Sequence, residues 1–79
     1  MIVMKQTLID IVMPMVDSPD EVNVTERVSG DTYILELKVA KDDLGKVIGR
    51  QGKVAKNIRI LMRAAAARQD KRVIVDIVK

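Results

Sequence analysis

Gly49-Arg50-Gln51-Gly52-Lys53 is the stretch of this chain whose residue types and spacing suggest chemistry. Two glycines three apart leave backbone without β-carbons, so an anion can approach main-chain N–H groups, and Lys53 adds a cation where the next helix begins. A helix starting there aims its free N–H groups and positive dipole end at the same point. Phosphate is the ligand class such a loop accepts. The same spacing also fits an ordinary helix C-cap and tight turn, so the surrounding residues have to decide. A nucleotide P-loop requires Gly-Lys-Ser/Thr, whereas Gly52-Lys53 is followed by Val54, and Val47 stands where the first glycine belongs. A three-glycine dinucleotide fingerprint fails at Val47 as well.

Other chemistry is scarce. The chain has no His and no Cys, which removes imidazole acid-base catalysis, thiol nucleophiles, disulfides and the usual zinc ligand sets. Asp42-Asp43 is a carboxylate pair, but no second acidic cluster joins it, and its position ahead of an apolar helical pattern reads as helix capping. No catalytic residue, metal or cofactor is expected. Tyr33 is the single aromatic, so the core must be aliphatic, with the five methionines as filler, and contact with nucleic acid cannot rest on stacked rings. Tyr33 itself is expected half-buried with its hydroxyl toward water.

The net charge of +3 hides a division. Residues 1–45 carry four cations against nine carboxylates, a net of −5, and residues 46–79 carry ten against Asp70 and Asp76, a net of +8. The positive half begins at Lys46, just before the glycine loop, which points to a polyanion-facing surface.

The elements that must position the loop follow from hydrophobic periodicity. Met4, Leu8, Ile11, Val12 and Met15 recur at helical spacing, with Pro14 expected to kink or loosen the last turn. This N-terminal stretch, opening Met1-Ile2-Val3-Met4, is interrupted by Lys5, Gln6, Thr7 and Asp10 and is followed by no small-residue cleavage site. It reads as neither signal peptide nor membrane span, and a cytoplasmic location is expected. Asp17-Ser18-Pro19-Asp20 supplies a turn. From Glu21 the period changes to two through Val22, Val24 and Val28. Ser29-Gly30-Asp31 makes a hairpin turn, and a second strand runs from Thr32 to Val39. Leu44, Val47 and Ile48 give a short helix. Beyond Gly52, Val54, Ala55, Ile58, Leu61, Met62, Ala65 and Ala66 give a long one, with Lys53, Lys56, Arg59 and Arg63 on one flank. Arg72 to Val78 is a last strand, apolar apart from Asp76 and reading as covered by helices. Two helices between the second and third strands favour a right-handed crossover that makes those strands parallel. The fold class is α+β, in the order α-β-β-α-α-β, with a three-stranded mixed sheet covered on one face by helices.

Val47-Ile48-Gly49-Arg50-Gln51-Gly52-Lys53, followed by Ala55 and Asn57-Ile58-Arg59, resembles the signature of a KH domain, and the element order resembles its type II form. The Asp-Ser-Pro-Asp-Glu turn, Gly45 and the run Arg59 to Ala67 extend the resemblance over the chain, to the KhpA family of small bacterial single-KH proteins, and residues 1–79 are expected to be one KH domain. The resemblance implies a clamp on the sugar-phosphate backbone of about four unpaired nucleotides, with bases in an aliphatic cleft that needs no aromatic platform. Carried onto this sequence, the clamp is Gly49, Arg50, Gln51 and Gly52, flanked by Lys46 and Lys53. Val47, Ile48, Ala55 and Ile58 support the groove from the helices, and Leu37, Lys38 and Val39 form its strand side. Lys56 and Arg59 extend the basic flank.

The partners this implies are single-stranded RNA, small RNAs among them, and a second protein chain, either another copy or KhpB. The implied roles are RNA chaperone or post-transcriptional regulator, with links to cell shape. The competing expectation is a KH-shaped dimerisation or recruitment module with little intrinsic RNA affinity.

Overall fold

The computed structural model describes residues 3–79. Helix α1 (Met4–Val12) buries Met4, Leu8 and Val12, spaced four apart on one stripe. A 3-10 turn, Met13–Met15, follows with Pro14 in it, so the loosened end expected of that proline is present. Of the apolar N-terminal run, Met1 and Ile2 lie outside the described residues, Val3 is exposed and Met4 is in the core. Pro19–Glu21 forms a second short 3-10 turn, and strand β1 therefore starts at Asn23 rather than Glu21.

β1 (Asn23–Ser29) pairs antiparallel with β2 (Thr32–Lys38), and β2 pairs parallel with β3 (Arg72–Ile77). The sheet order β1-β2-β3 makes β2 the central strand and β3 an edge. Helices α2 (Leu44–Ile48) and α3 (Lys53–Ala67) fill the crossover between β2 and β3. The core lies between the helices and one sheet face. Leu35, Leu37, Val73, Val75 and Ile77 point inward from the sheet, and Val47, Ile58 and Met62 meet them from the helices. Alternate residues along β3 are exposed, so that strand is covered on one face only; Ile74, in register with Ile34, is 54% exposed.

Two expectations about the core need correction. Leu61 is 54% exposed, because it sits about 100° round α3 from Met62 and off the stripe of Ala55, Ile58, Met62 and Ala66. Met13, in the turn after α1, is also exposed, whereas Met4 and Met62 are buried as filler.

Candidate nucleic-acid interface

The loop between α2 and α3 has an unusual backbone. Gly49, Gln51 and Gly52 all take positive φ, at +77°, +57° and +76°. Gly49 donates its N–H to the Gly45 carbonyl at 2.8 Å, closing α2, and Gly52 donates to the Gly49 carbonyl at 3.2 Å. The two glycines are required for different reasons. A β-carbon on Gly49 would meet Val54, 2.8 Å from its Cβ and 2.9 Å from its backbone N. One on Gly52 would meet nothing within 4 Å, so there the demand is conformational and the space beside the backbone is open. Arg50 and Gln51 project as exposed tips. The first turn of α3 carries no acidic residue and no side-chain cap, so its positive end faces the loop uncompensated.

Beside the loop is a groove of about 300 Å³ lined by Ile48, Gly52, Ala55, Arg59, Asp76, Ile77 and Lys79. Its strand wall is β3. The expectation that Leu37, Lys38 and Val39 would form that wall is corrected by the strand order: β2 is central, and β3 is the edge that packs along α3. Leu37 and Val39 are buried in the core, as are Val47 and Ile58. Lys38 is exposed at a different cavity of about 310 Å³, lined also by Glu21, Val39, Ala40, Lys41, Leu44, Val78 and Lys79. The two cavities share Lys79. Asp76, Ile77 and Lys79 carry no local motif that marks them for the groove; the signal for them is a β3 parallel to β2 and linked to it through α3.

The free edge of β3 also carries polar groups. Arg72 and Val78 direct their N–H groups at the carbonyls of Asp31 and Leu37, toward β2. Alternation along a strand turns the peptide groups of Val73, Val75 and Ile77 the other way. Arg59 uses this, donating Nε–H to the Val75 carbonyl at 3.1 Å, so its guanidinium is pinned between α3 and β3. Lys53, Lys56 and Arg63 are exposed.

Lys46 is differently placed. Its ammonium is paired with Asp17 and lies 3.2 Å from Asp43 Oδ1. Asp43 is buried and accepts the backbone N–H groups of Asp17 and Ser18 at 3.1 and 3.0 Å. The helix-capping role read for Asp43 is thus corrected: its side chain caps nothing on α2 and holds the turn that follows α1. The Asp17 N–H bond, with help from Ser18 and Lys46, holds the Asp43 carboxyl below its ordinary range despite burial. The hydrogen bond to Asp17, reinforced by Asp43, raises the Lys46 ammonium.

An α-β-β-α-α-β domain with a Gly-x-x-Gly loop between its last two helices, opening on a groove along the sheet edge, is the KH class of domain. A family model described as the KhpA/KhpB KH domain matches residues 5–77, and the chain belongs to that family. It is 53% identical over 75 residues to the RNA-binding protein KhpA of Clostridium acetobutylicum, covering 95% of this chain and all of the relative. Identity to the RNA-binding protein KhpA of Halalkalibacterium halodurans is 47% over 75 residues, covering 95% and 99%. For that of Listeria monocytogenes it is 37% over 76 residues, covering 96% and 100%. No solved structure gives a significant match. No helix among the described residues is long and apolar enough to cross a membrane.

Proposed function

We propose that this protein is a non-catalytic binder of single-stranded RNA. The observation that carries the reading is the conjunction of a positive-φ glycine loop, the uncapped positive end of α3 and an aliphatic groove alongside. Phosphates of about four unpaired nucleotides pass over Gly49, Arg50, Gln51 and Gly52, next to Lys53, Lys56 and Arg59. Ile48 offers apolar surface to the bases, and the accessible edges of the otherwise buried Ala55 and Ile77 line the groove beside it. Lys46 serves by anchoring the start of α2, and Lys38 would reach only RNA that extends past the carboxyl end of the groove. The relatives are described as RNA-binding proteins, which supports the same role here. A cytoplasmic chaperone or post-transcriptional regulator acting on small RNAs is the cellular setting this implies.

Gly52→Asp is the direct test. It adds a β-carbon and a negative charge in the open space beside the loop, and should abolish binding to a single-stranded RNA while leaving the circular dichroism spectrum native. A folded variant with wild-type affinity would refute the clamp.

A second reading is favoured by the outer face of α3, where Ile60 and Leu61 are 49% and 54% exposed. One KH unit reads few bases, so pairing with another copy or with KhpB would raise affinity by bringing in a second site. In its strong form, this reading makes the protein chiefly a dimerisation or recruitment module.

A further inference from the structure

The loop groove does not end at Arg59. A smaller cavity of about 110 Å³, lined by Arg59, Arg63, Val73, Ile74 and Val75, continues it along the α3-β3 edge. That cavity shares Arg63, Val73 and Ile74 with a third, of about 490 Å³, which adds Thr32, Lys71 and Arg72. The three form one track with Arg59 and Arg63 as the shared walls. From Lys53 to Arg63 the helix advances about 15 Å, so the far cavity lies well beyond the loop.

Its chemistry is that of an anion site. Arg63, Lys71 and Arg72 come from three places, the flank of α3, the α3-β3 turn and the start of β3, and converge on one cavity. Both ion pairs among the described residues belong to Lys46, so none of these three cations is neutralised by a carboxylate within salt-bridge distance. Two carboxylates are near in the chain. Asp31 accepts the Thr32 hydroxyl at 3.2 Å, and Asp70 occupies the positive-φ turn before Lys71. The cavity still carries a surplus of positive charge. Exposed Ile74 lines the same cavity and adds an apolar surface to it. Alternating cation and aliphatic surface suits a flexible strand bearing both phosphates and bases.

We propose that Arg63, Lys71 and Arg72 form a second phosphate-binding station, engaging the same single strand after it leaves the glycine loop. This rests on the RNA-binding reading and extends it from a clamp to a track. It makes affinity depend on RNA length, with the loop sufficient for a tetranucleotide and the far station engaged only by longer strands.

The experiment compares oligoadenylate tetra- and octanucleotides on wild type, on Arg63→Gln/Lys71→Gln/Arg72→Gln and on Gly52→Asp, at several salt concentrations. Wild type should bind the octanucleotide about tenfold or more tightly than the tetranucleotide, with the slope of log affinity against log salt steeper by about 0.7 for each added phosphate contact. The triple variant, folded by circular dichroism, should bind the tetranucleotide within about twofold of wild type and lose the length-dependent gain and the extra slope. Gly52→Asp should lose both lengths. Equal affinity of wild type for both lengths, or a gain retained by the triple variant, would overturn the station while leaving the clamp intact. Failure of wild type to bind either length at low salt would overturn the RNA reading and this inference with it. Displacement of the octanucleotide by polyglutamate at equal residue concentration would assign the cavity to an acidic protein segment instead.

Discussion

The Asp43 carboxylate accepts the backbone N–H of Asp17 at 3.1 Å, across 26 residues of sequence. With the Ser18 N–H at 3.0 Å and Lys46 on the same side chain, this one buried acid ties the turn after α1 to the start of α2. Gly49 caps the far end of α2, so the placement of the loop depends on a contact made outside the loop.

Asp43→Ala should therefore destabilise the fold more than any change at the exposed loop tips, since two backbone donors lose their partner and Lys46 loses one of its two. Thermal unfolding should fall by roughly 5–15 °C, against little change for Arg50→Ala. RNA affinity measured well below the new midpoint should also drop, because the loop is less firmly held.

The same contact sets a pH dependence. In the folded protein the Asp43 carboxyl titrates below its unfolded value of about 3.9, so as pH falls the unfolded chain takes up the proton first. Its contribution to stability is full above about pH 4 and is lost as pH falls through the lower folded value. Lys46, raised in the fold, contributes fully below an unfolded value of about 10.4 and loses that contribution as pH rises past it. Midpoints measured from pH 7 downward should fall less steeply for Asp43→Asn than for wild type; parallel curves would rule out this linkage.

Substitutions at the two glycines should separate space from conformation. Gly52→Ala should cost about 1 kcal/mol, the penalty of a β-carbon at positive φ with no clash. Gly49→Ala should cost about 3 kcal/mol, because overlap with Val54 adds to that penalty. Val54→Ala in the Gly49→Ala background should recover part of the loss, a positive coupling readable in a double-mutant cycle of urea unfolding.

Arg59→Lys keeps the charge of the groove but not the Nε–H that reaches the Val75 carbonyl. Stability should fall by about 1 kcal/mol with the salt slope of RNA binding unchanged. Arg59→Gln should lower the slope by about 0.7 if the guanidinium faces phosphate.

Ile60→Glu/Leu61→Glu should leave the monomer fold intact, both side chains being largely exposed. If α3 is an association surface, light scattering at micromolar concentration should show wild type as a dimer and the variant as a monomer. A wild-type monomer would remove the second reading as far as self-association is concerned.

The element order, the parallel pairing of β3 with β2 and the glycine loop were legible because each rests on local rules. Periods of two and of 3.6 mark strands and helices within a few residues, and Gly49 to Lys53 are contiguous. The groove was legible only in half. Ile48 and Ala55 adjoin the loop in sequence, while Asp76, Ile77 and Lys79 reach it only because β3 is the sheet edge. Leu61 fits the helical period yet is exposed, because periodicity admits a wider stripe than α3 buries.

By itself the sequence determined which segments are helix or strand, where the backbone must turn through glycine, and that positive charge gathers from Lys46 onward. Tertiary structure alone decided which charges are free. Lys46 heads the basic half yet is tied to Asp17 and Asp43, whereas Arg63, Lys71 and Arg72, split between a helix, a turn and a strand, converge on one cavity with no salt bridge among the described residues. Local pattern follows from the geometry of neighbouring residues, but ion pairing depends on distances between residues far apart in the chain, and those are fixed only when the helices close over the sheet.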